Sequence, residues 1–240
     1  MEYLRYNGEL LIYTTILLIG GMVLTGITIA LFNLIGQRME DWYMKSVVVY
    51  GSVSAPVVAT LFVDKIFGKR VNIASPVAKI FTPLFLLTVV AYLIAMMATR
   101  NRSLFYSDRD FLIVFNGLLL IVLGLSVFSV SERDSQKERV FGDFMNIGLV
   151  TVTLIIDVIA LWAIVFRVTS YGFTPNRLAV LGANLLAFCH LTGIVYHYAR
   201  LVFGKSAFTP LERWIVSYIP AYTLWSIIVA FAFPLAFGFK

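Results

Sequence analysis

Seven separate hydrophobic runs, each about long enough to cross a bilayer, fill nearly the whole of this chain of 240 residues. A membrane-spanning helix needs about 20 mostly apolar residues. Hydrophobic residues make up 60% of the chain and charged residues only 13%, whereas a soluble domain has about 45–50% and about 25%. A soluble fold this apolar would lack the polar surface to cover itself. The chain therefore predicts an integral membrane protein with lipid as its solvent.

The seven runs are separated by short connections, and no stretch is long enough to form a soluble domain. Backbone polar groups in lipid must be satisfied within their own segment, which favours helices. We predict an all-α, polytopic helix bundle that forms a single transmembrane domain over residues 1–240. The spans are expected at Leu10–Gly36, Trp42–Phe67, Val77–Thr99, Asp110–Val130, Phe144–Val168, Pro175–Phe203 and Arg213–Phe239.

The distribution of positive charge predicts the orientation of the chain. Eleven of the Lys and Arg residues lie on the side of the N-terminus and eight on the opposite side. The positive-inside rule then favours a cytoplasmic N-terminus and an external C-terminus. The net charge of +6 follows from this topology and does not indicate nucleic-acid binding. The first run is too long for the apolar core of a signal peptide, so we expect it to be retained as a helix.

Two threonine–proline pairs predict where helices begin. Thr174-Pro175 and Thr209-Pro210 each place a hydroxyl that can cap a helix before a proline at the first helical position. Gly172 can adopt the left-handed conformation that ends a helix. We therefore expect the fifth span to end at Gly172, and Thr174 and Thr209 to cap the sixth and seventh spans.

The same hairpin carries a segment that resembles a known family. Arg167–Arg177 is similar to the Arg-(x)3-Tyr-Gly-(x)-Thr-(x)2-Arg signature of bacterial multi-pass membrane proteins described as domain of unknown function 4153. The resemblance implies a bacterial cytoplasmic membrane protein and carries no catalytic residues with it. Arg177 itself is a cation in the first turn of a helix, where it faces the positive end of the helix dipole. We expect an anion beside it, either a lipid phosphate, a protein carboxylate or a substrate.

Three ionisable residues inside the spans are candidate functional residues, because such groups are costly in a membrane. Asp157 lies in the middle of the fifth span, His190 in the middle of the sixth, and His197 two turns further along the same face. Counted from the hairpin, Asp157 and His190 lie at depths of roughly 18 and 22 Å. We therefore predict a hydrogen bond or ion pair between them, which either ties the two helices or couples a proton or cation. The histidine face is expected to contact protein and also carries Gly182, Gly193 and Arg200.

Function is the least determined property of this sequence. The chain contains no HExxH, GxSxG, GxGxxG or P-loop pattern. Two histidines on one helix and a single cysteine, Cys189, leave a metal or haem short of ligands, so we predict no catalytic residues, metal or cofactor. The absent chemistry and the small residues of the second span favour a non-catalytic accessory or assembly subunit of a membrane complex.

Two other classes stay open. One is a small proton- or ion-coupled transporter or channel component that uses Asp157 and His190, and the other is an intramembrane enzyme. The expected partners are the lipid bilayer and either another membrane protein or a second copy of the chain.

Overall fold

The computed structural model describes residues 2–66, 74–99, 109–131, 133, 141–172, 174–204 and 207–238. All regular structure in these ranges is helical. Two short π-helical segments, Met44–Val48 and Ile228–Ala232, each join two consecutive α-helices. The α-helices are α1 (Glu2–Leu34), α2 (Glu40–Tyr43), α3 (Val49–Ile66), α4 (Ala74–Ala98), α5 (Arg109–Ser131), α6 (Phe141–Tyr171), α7 (Pro175–Val202), α8 (Thr209–Ser217), α9 (Ile219–Ile227) and α10 (Phe233–Phe237).

Seven stretches of the described chain are helices long and apolar enough to cross a membrane, which confirms the predicted all-α membrane bundle. Helices α1, α4, α5, α6 and α7 each supply one span. Span two, residues Glu40–Asp64, runs through α2, a π-helical segment and α3, and span seven, residues Thr209–Phe237, runs through α8, α9 and α10.

Helix α1 begins at Glu2, eight residues before the predicted start of the first span at Leu10. Its polar first turns stay helical since their side chains bond to their own helix. Arg5 Nε donates to Glu9 Oε1 at 3.0 Å, and Asn7 Nδ2 donates to the Tyr3 carbonyl at 2.8 Å. Local pairs of this kind stabilise a helix where apolar burial does not.

Five helices form the centre of the bundle and two spans lie at its edge. Helices α1, α4, α5, α6 and α7 pack against one another, while span two packs mainly on α1 and span seven mainly on α7. The centre is filled by large side chains that are almost completely buried, including Tyr13, Phe85, Tyr92, Phe115, Leu149 and Leu191. No residue of α9 or α10 is buried. Among the described residues, span seven is therefore packed mainly on one neighbour.

The hairpin between α6 and α7 has the predicted caps. Gly172 adopts a left-handed conformation with φ of +81°, which an L side chain would strain. The Thr174 hydroxyl accepts from the Arg177 backbone N–H at 3.4 Å. The equivalent prediction for Thr209 is wrong, because Phe208 is already in a helical conformation and caps α8 without a side-chain bond. Its carbonyl accepts from the Leu211 amide at 3.0 Å, so Phe208 is the cap and Thr209 is already the first helical residue.

Candidate functional site

Helix α7 presents two different faces to its neighbours. One face points into the bundle and carries residues that are almost fully buried, among them Asn184, Ala187, Leu191 and Tyr198. The other face meets span seven. His190 lies six residues after Asn184, which turns it about 120° around the helix and moves it about 9 Å along the axis.

On the bundle face, Asn184 is paired with the carboxyl group of Asp157 from α6. Asn184 Nδ2 donates to Asp157 Oδ1 at 2.9 Å, and the two residues are 0% and 1% exposed. Asp157 Oδ2 and Asn184 Oδ1 are buried and have no hydrogen-bond partner among the described residues. A carboxyl group with a proton on Oδ2 supplies the missing donor, whereas the ionised group leaves both oxygens without one. Two buried oxygens without a donor therefore favour a neutral Asp157 beside the amide.

The predicted bond between Asp157 and His190 is wrong. Asp157 bonds to Asn184, and the only hydrogen-bonding contact of the described His190 ring is with Tyr222. Counting residues from the hairpin placed Asp157 level with His190, whereas its partner Asn184 lies about 9 Å nearer the hairpin along α7. Asp157 meets the bundle face of α7, and His190 lies on the face that turns toward span seven.

His190 is enclosed by tyrosines of span seven. Its Nδ1 lies 3.3 Å from the Tyr222 hydroxyl, and its ring stacks on Tyr218 with centroids 4.5 Å apart and planes 21° from parallel. Nε2 is buried and has no partner among the described residues, and the residue is 2% exposed. An imidazole set between aromatic rings, without a carboxylate bonded to it, is suited to packing and to one hydrogen bond rather than to acid–base chemistry.

The indole of Trp214 fixes the same face of α7 to α8. It covers Gly193 so closely that a Cβ on this glycine would overlap the ring. Its Nε1 donates to the His190 backbone carbonyl at 3.1 Å. Because Trp214 contacts both the glycine and the carbonyl three residues before it, the ring lies flat in a notch of the helix surface.

Trp225 repeats this contact further along span seven. It covers Gly182, where there is also no space for a Cβ, and its Nε1 donates to the Ala179 carbonyl at 3.3 Å. That carbonyl again lies three residues before the glycine. The two glycines and the two tryptophans are both 11 residues apart, close to three helical turns. Gly182 and Gly193 of the face predicted to meet protein therefore contact span seven through a paired indole–glycine docking, whereas Arg200 of the same predicted face is exposed.

His197 lies at the end of the same face, beside a cavity. Its ring centroid is 5.6 Å from that of Trp214, and its Nδ1 is buried without a partner among the described residues. The cavity has a volume of about 300 Å³ and opens to the outside between α7 and α8. It is lined by His197, Thr209, Pro210, Arg213, Trp214 and Ser217.

Arg177 lies at the other end of α7 and contacts the end of α6. Its Nη1 donates to the Gly172 carbonyl at 3.0 Å. A carbonyl at a helix C-terminus carries partial negative charge, which suits a guanidinium group. The Gly172 carbonyl therefore balances part of the positive charge of Arg177. The anion predicted beside Arg177, which is a lipid phosphate, a protein carboxylate or a substrate, stays a prediction.

No protein-family model, curated protein or solved structure matches this chain. Within the described ranges, no three His, Cys, Asp or Glu residues lie close enough to hold a metal ion.

Sequence reasoning missed a buried ion pair at the N-terminal side of the bundle. Arg133 Nε donates to Asp143 Oδ1 at 3.0 Å, and both side chains are only 3% exposed. The ring of Phe208 lies against the guanidinium group, 5.2 Å from Cζ to the centroid. Nearby, Ser126 Oγ donates to Asn146 Oδ1 at 3.0 Å. The pair was hidden because Arg133 belongs to a run of charged residues that is typical of a solvated loop.

Proposed function

We propose that the protein is a non-catalytic accessory or assembly subunit of a membrane complex. The observation that carries this proposal is the outer surface of span two. Gly51, Ser52 and Ser54 are exposed there, and nothing lies within 4 Å of a Cβ built on Gly51. The serine hydroxyls donate to carbonyls of their own helix, those of Val48 and Gly51. A helix surface of this kind lets another helix approach closely in lipid.

The interior polar residues also fit a structural role. Asp157 is bonded to Asn184, Ser126 to Asn146, and each contact joins one helix to its neighbour. The relay between Asp157 and His190 that would support coupled transport is not formed. What the described interior contains is a set of separate helix-to-helix contacts.

Co-purification tests the accessory role. Gly51→Leu and Ser54→Leu each place a large side chain on the small-residue surface. We expect each variant to reduce the amount of a stoichiometric partner that co-purifies in mild detergent. Val53→Leu is the matched control, since Val53 is exposed on the same helix and already large. The partner is either another membrane protein or a second copy of the chain, which crosslinking of two differently tagged copies distinguishes. Equal recovery of the partner with all three variants would contradict the proposal.

A proton-coupled transporter is the second candidate, and one observation favours it. Asp157 Oδ2 and Asn184 Oδ1 leave a place for one proton at the middle of the bundle. A change that separates α6 from α7 would release that proton. If the protein is such a transporter, proteoliposomes with a pH gradient should show a proton flux. The double variant Asp157→Asn with His190→Gln should still fold and should lose that flux. Such a flux would displace the accessory role.

The cellular setting is also part of the proposal. We place the protein in a bacterial cytoplasmic membrane with its N-terminus in the cytoplasm, on the positive-inside bias and the family resemblance. Reporter fusions after residues 68 and 135 should read cytoplasmic, and a fusion after residue 103 should read external. The opposite pattern would reverse the orientation while leaving seven spans in place.

A further inference from the structure

The cavity between α7 and α8 lies where span seven begins. Thr209 and Pro210 form the first turn of that span, and His197 and Trp214 close the cavity from α7 and α8. A cavity at the end of a membrane-spanning segment faces the headgroup region of the bilayer. Its volume of about 300 Å³ is enough for a phosphate group with part of a glycerol backbone.

Several hydrogen-bonding groups face this cavity without a partner among the described residues. Arg213 is exposed and makes no ion pair or hydrogen bond there, and neighbouring Glu212 makes no ion pair either. The Thr209 hydroxyl is not used as a helix cap, because Phe208 has that position. His197 Nδ1 is buried beside the cavity without a partner. The exposed side of the site therefore offers one unpaired cation and one hydroxyl.

A second positive charge lies near the cavity. Arg200 follows His197 by one turn of α7, and its guanidinium group lies over the ring of Tyr196 at 5.6 Å. Arginine binds phosphate through paired, charge-assisted hydrogen bonds, and basic pockets between membrane helices bind lipid headgroups. Arg177, the cation that the sequence singled out, is less suited because it already donates to the Gly172 carbonyl.

We propose that this cavity binds the phosphate group of an anionic phospholipid, with Arg213 and Thr209 as the principal donors. The apolar residues of the cavity wall favour a lipid over a free phosphate ion. Trp214 and Pro210 line the cavity, and the lipid-facing side of span seven continues from it through Val216, which is 63% exposed. An acyl chain can follow this surface, whereas a free ion gains nothing from it.

Three probes separate the contributions of phosphate and acyl chain. Purified protein in a neutral detergent is titrated with short-chain phosphatidylglycerol, with short-chain diacylglycerol and with inorganic phosphate, and binding is followed by native mass spectrometry. We expect phosphatidylglycerol to bind at least tenfold more tightly than either other probe. Equally tight binding of diacylglycerol would show that the cavity does not recognise the phosphate group. Equally tight binding of inorganic phosphate would show that the lipid part contributes nothing. Either result would overturn the proposal.

Variants locate the site. Arg213→Gln should weaken phosphatidylglycerol binding about tenfold, the loss of one charge-assisted hydrogen bond. Arg213→Lys should keep most of the affinity. Arg38→Gln is the matched control, because Arg38 is also exposed and lies outside the helices in the connection between α1 and α2. Thermal unfolding of each variant shows that it is folded. Unchanged binding in Arg213→Gln, or an equal loss in Arg38→Gln, would overturn the assignment. The site does not depend on the accessory role, which the span-two variants test separately.

Discussion

The two faces of α7 are fixed to their neighbours by different means. Toward α6, the contact is one buried polar pair, Asp157 and Asn184, in a tightly packed interior. Toward span seven, it is two indole rings in glycine notches, each with one hydrogen bond to a backbone carbonyl. The first contact is specified by the chemistry of two side chains. The second is specified by shape, because the acceptors are backbone carbonyls, which every residue type provides.

This difference predicts how each contact fails. A polar pair in lipid is worth little when it is present but leaves a buried group unsatisfied when one partner is removed. A glycine notch tolerates no added atom, since close packing gives the ring nowhere to move. Span seven has no other major neighbour among the described residues, so its position depends on its contacts with α7, of which the two notches are the most closely fitted.

The largest expected effect is that of filling a notch. Gly193→Ala should lower the free energy of unfolding by about 2–3 kcal/mol, because a Cβ would overlap the Trp214 ring and force span seven away from α7. Unfolding by a denaturing detergent in mixed micelles, followed by tryptophan fluorescence, measures this change. Gly182→Ala, beneath Trp225, should cost a similar amount.

The control for these variants is Gly21→Ala. No atom lies within 4 Å of a Cβ built on Gly21, and it lies within α1. Alanine there should be neutral or stabilising by up to about 1 kcal/mol, because it restricts the unfolded chain. A loss at Gly21 as large as that at Gly193 would show that helix flexibility, not the indole notch, decides the effect.

A smaller effect is expected from the polar pair. Asp157→Ala should lower the free energy of unfolding by about 2 kcal/mol, since it leaves Asn184 Nδ2 buried without its acceptor. Asp157→Asn should cost less than about 0.5 kcal/mol, because an amide can both accept from and donate to Asn184. The same detergent titration compares the two variants.

Infrared spectroscopy sharpens that comparison. A neutral Asp157 should give the carbonyl stretch of a protonated carboxylic acid at neutral pH, and this band should disappear in Asp157→Asn. A carboxylate signal in its place would mean that the pair is ionised. The missing donors at Asp157 Oδ2 and Asn184 Oδ1 would then need another explanation.

The sequence contained enough to predict the helices but not which faces they turn to one another. The lengths of the apolar runs predicted the seven spans. The residue types of the hairpin predicted the left-handed conformation of Gly172 and the capping hydrogen bond of Thr174. The partner of Asp157 did not follow from counting residues along the spans, because it depends on how α7 is rotated and shifted against α6, which many side chains set together.

One contact could have been found from the sequence. Gly182 and Gly193 have the same spacing as Trp214 and Trp225 in the neighbouring span. In two antiparallel helices, equal spacings bring both pairs into contact at once, and a glycine is the natural place for a large ring. By contrast, nothing in the sequence separates the unpaired Arg213 from the other cations near span ends.

The smallest expected effect concerns the polar contact within the span-seven interface. Tyr222→Phe removes the hydroxyl 3.3 Å from His190 Nδ1 and keeps the aromatic ring. We expect a loss of about 0.6 kcal/mol, the average for a hydrogen bond between membrane helices. A double-mutant cycle with His190→Gln, measured by the same unfolding titration, gives the coupling between the two residues. If shape holds this face, the coupling stays near that value, because the stacking of His190 on Tyr218 and both indole notches are unchanged. A coupling above about 2 kcal/mol would show that His190 and Tyr222 anchor span seven, and the two faces of α7 would then differ less than their geometry indicates.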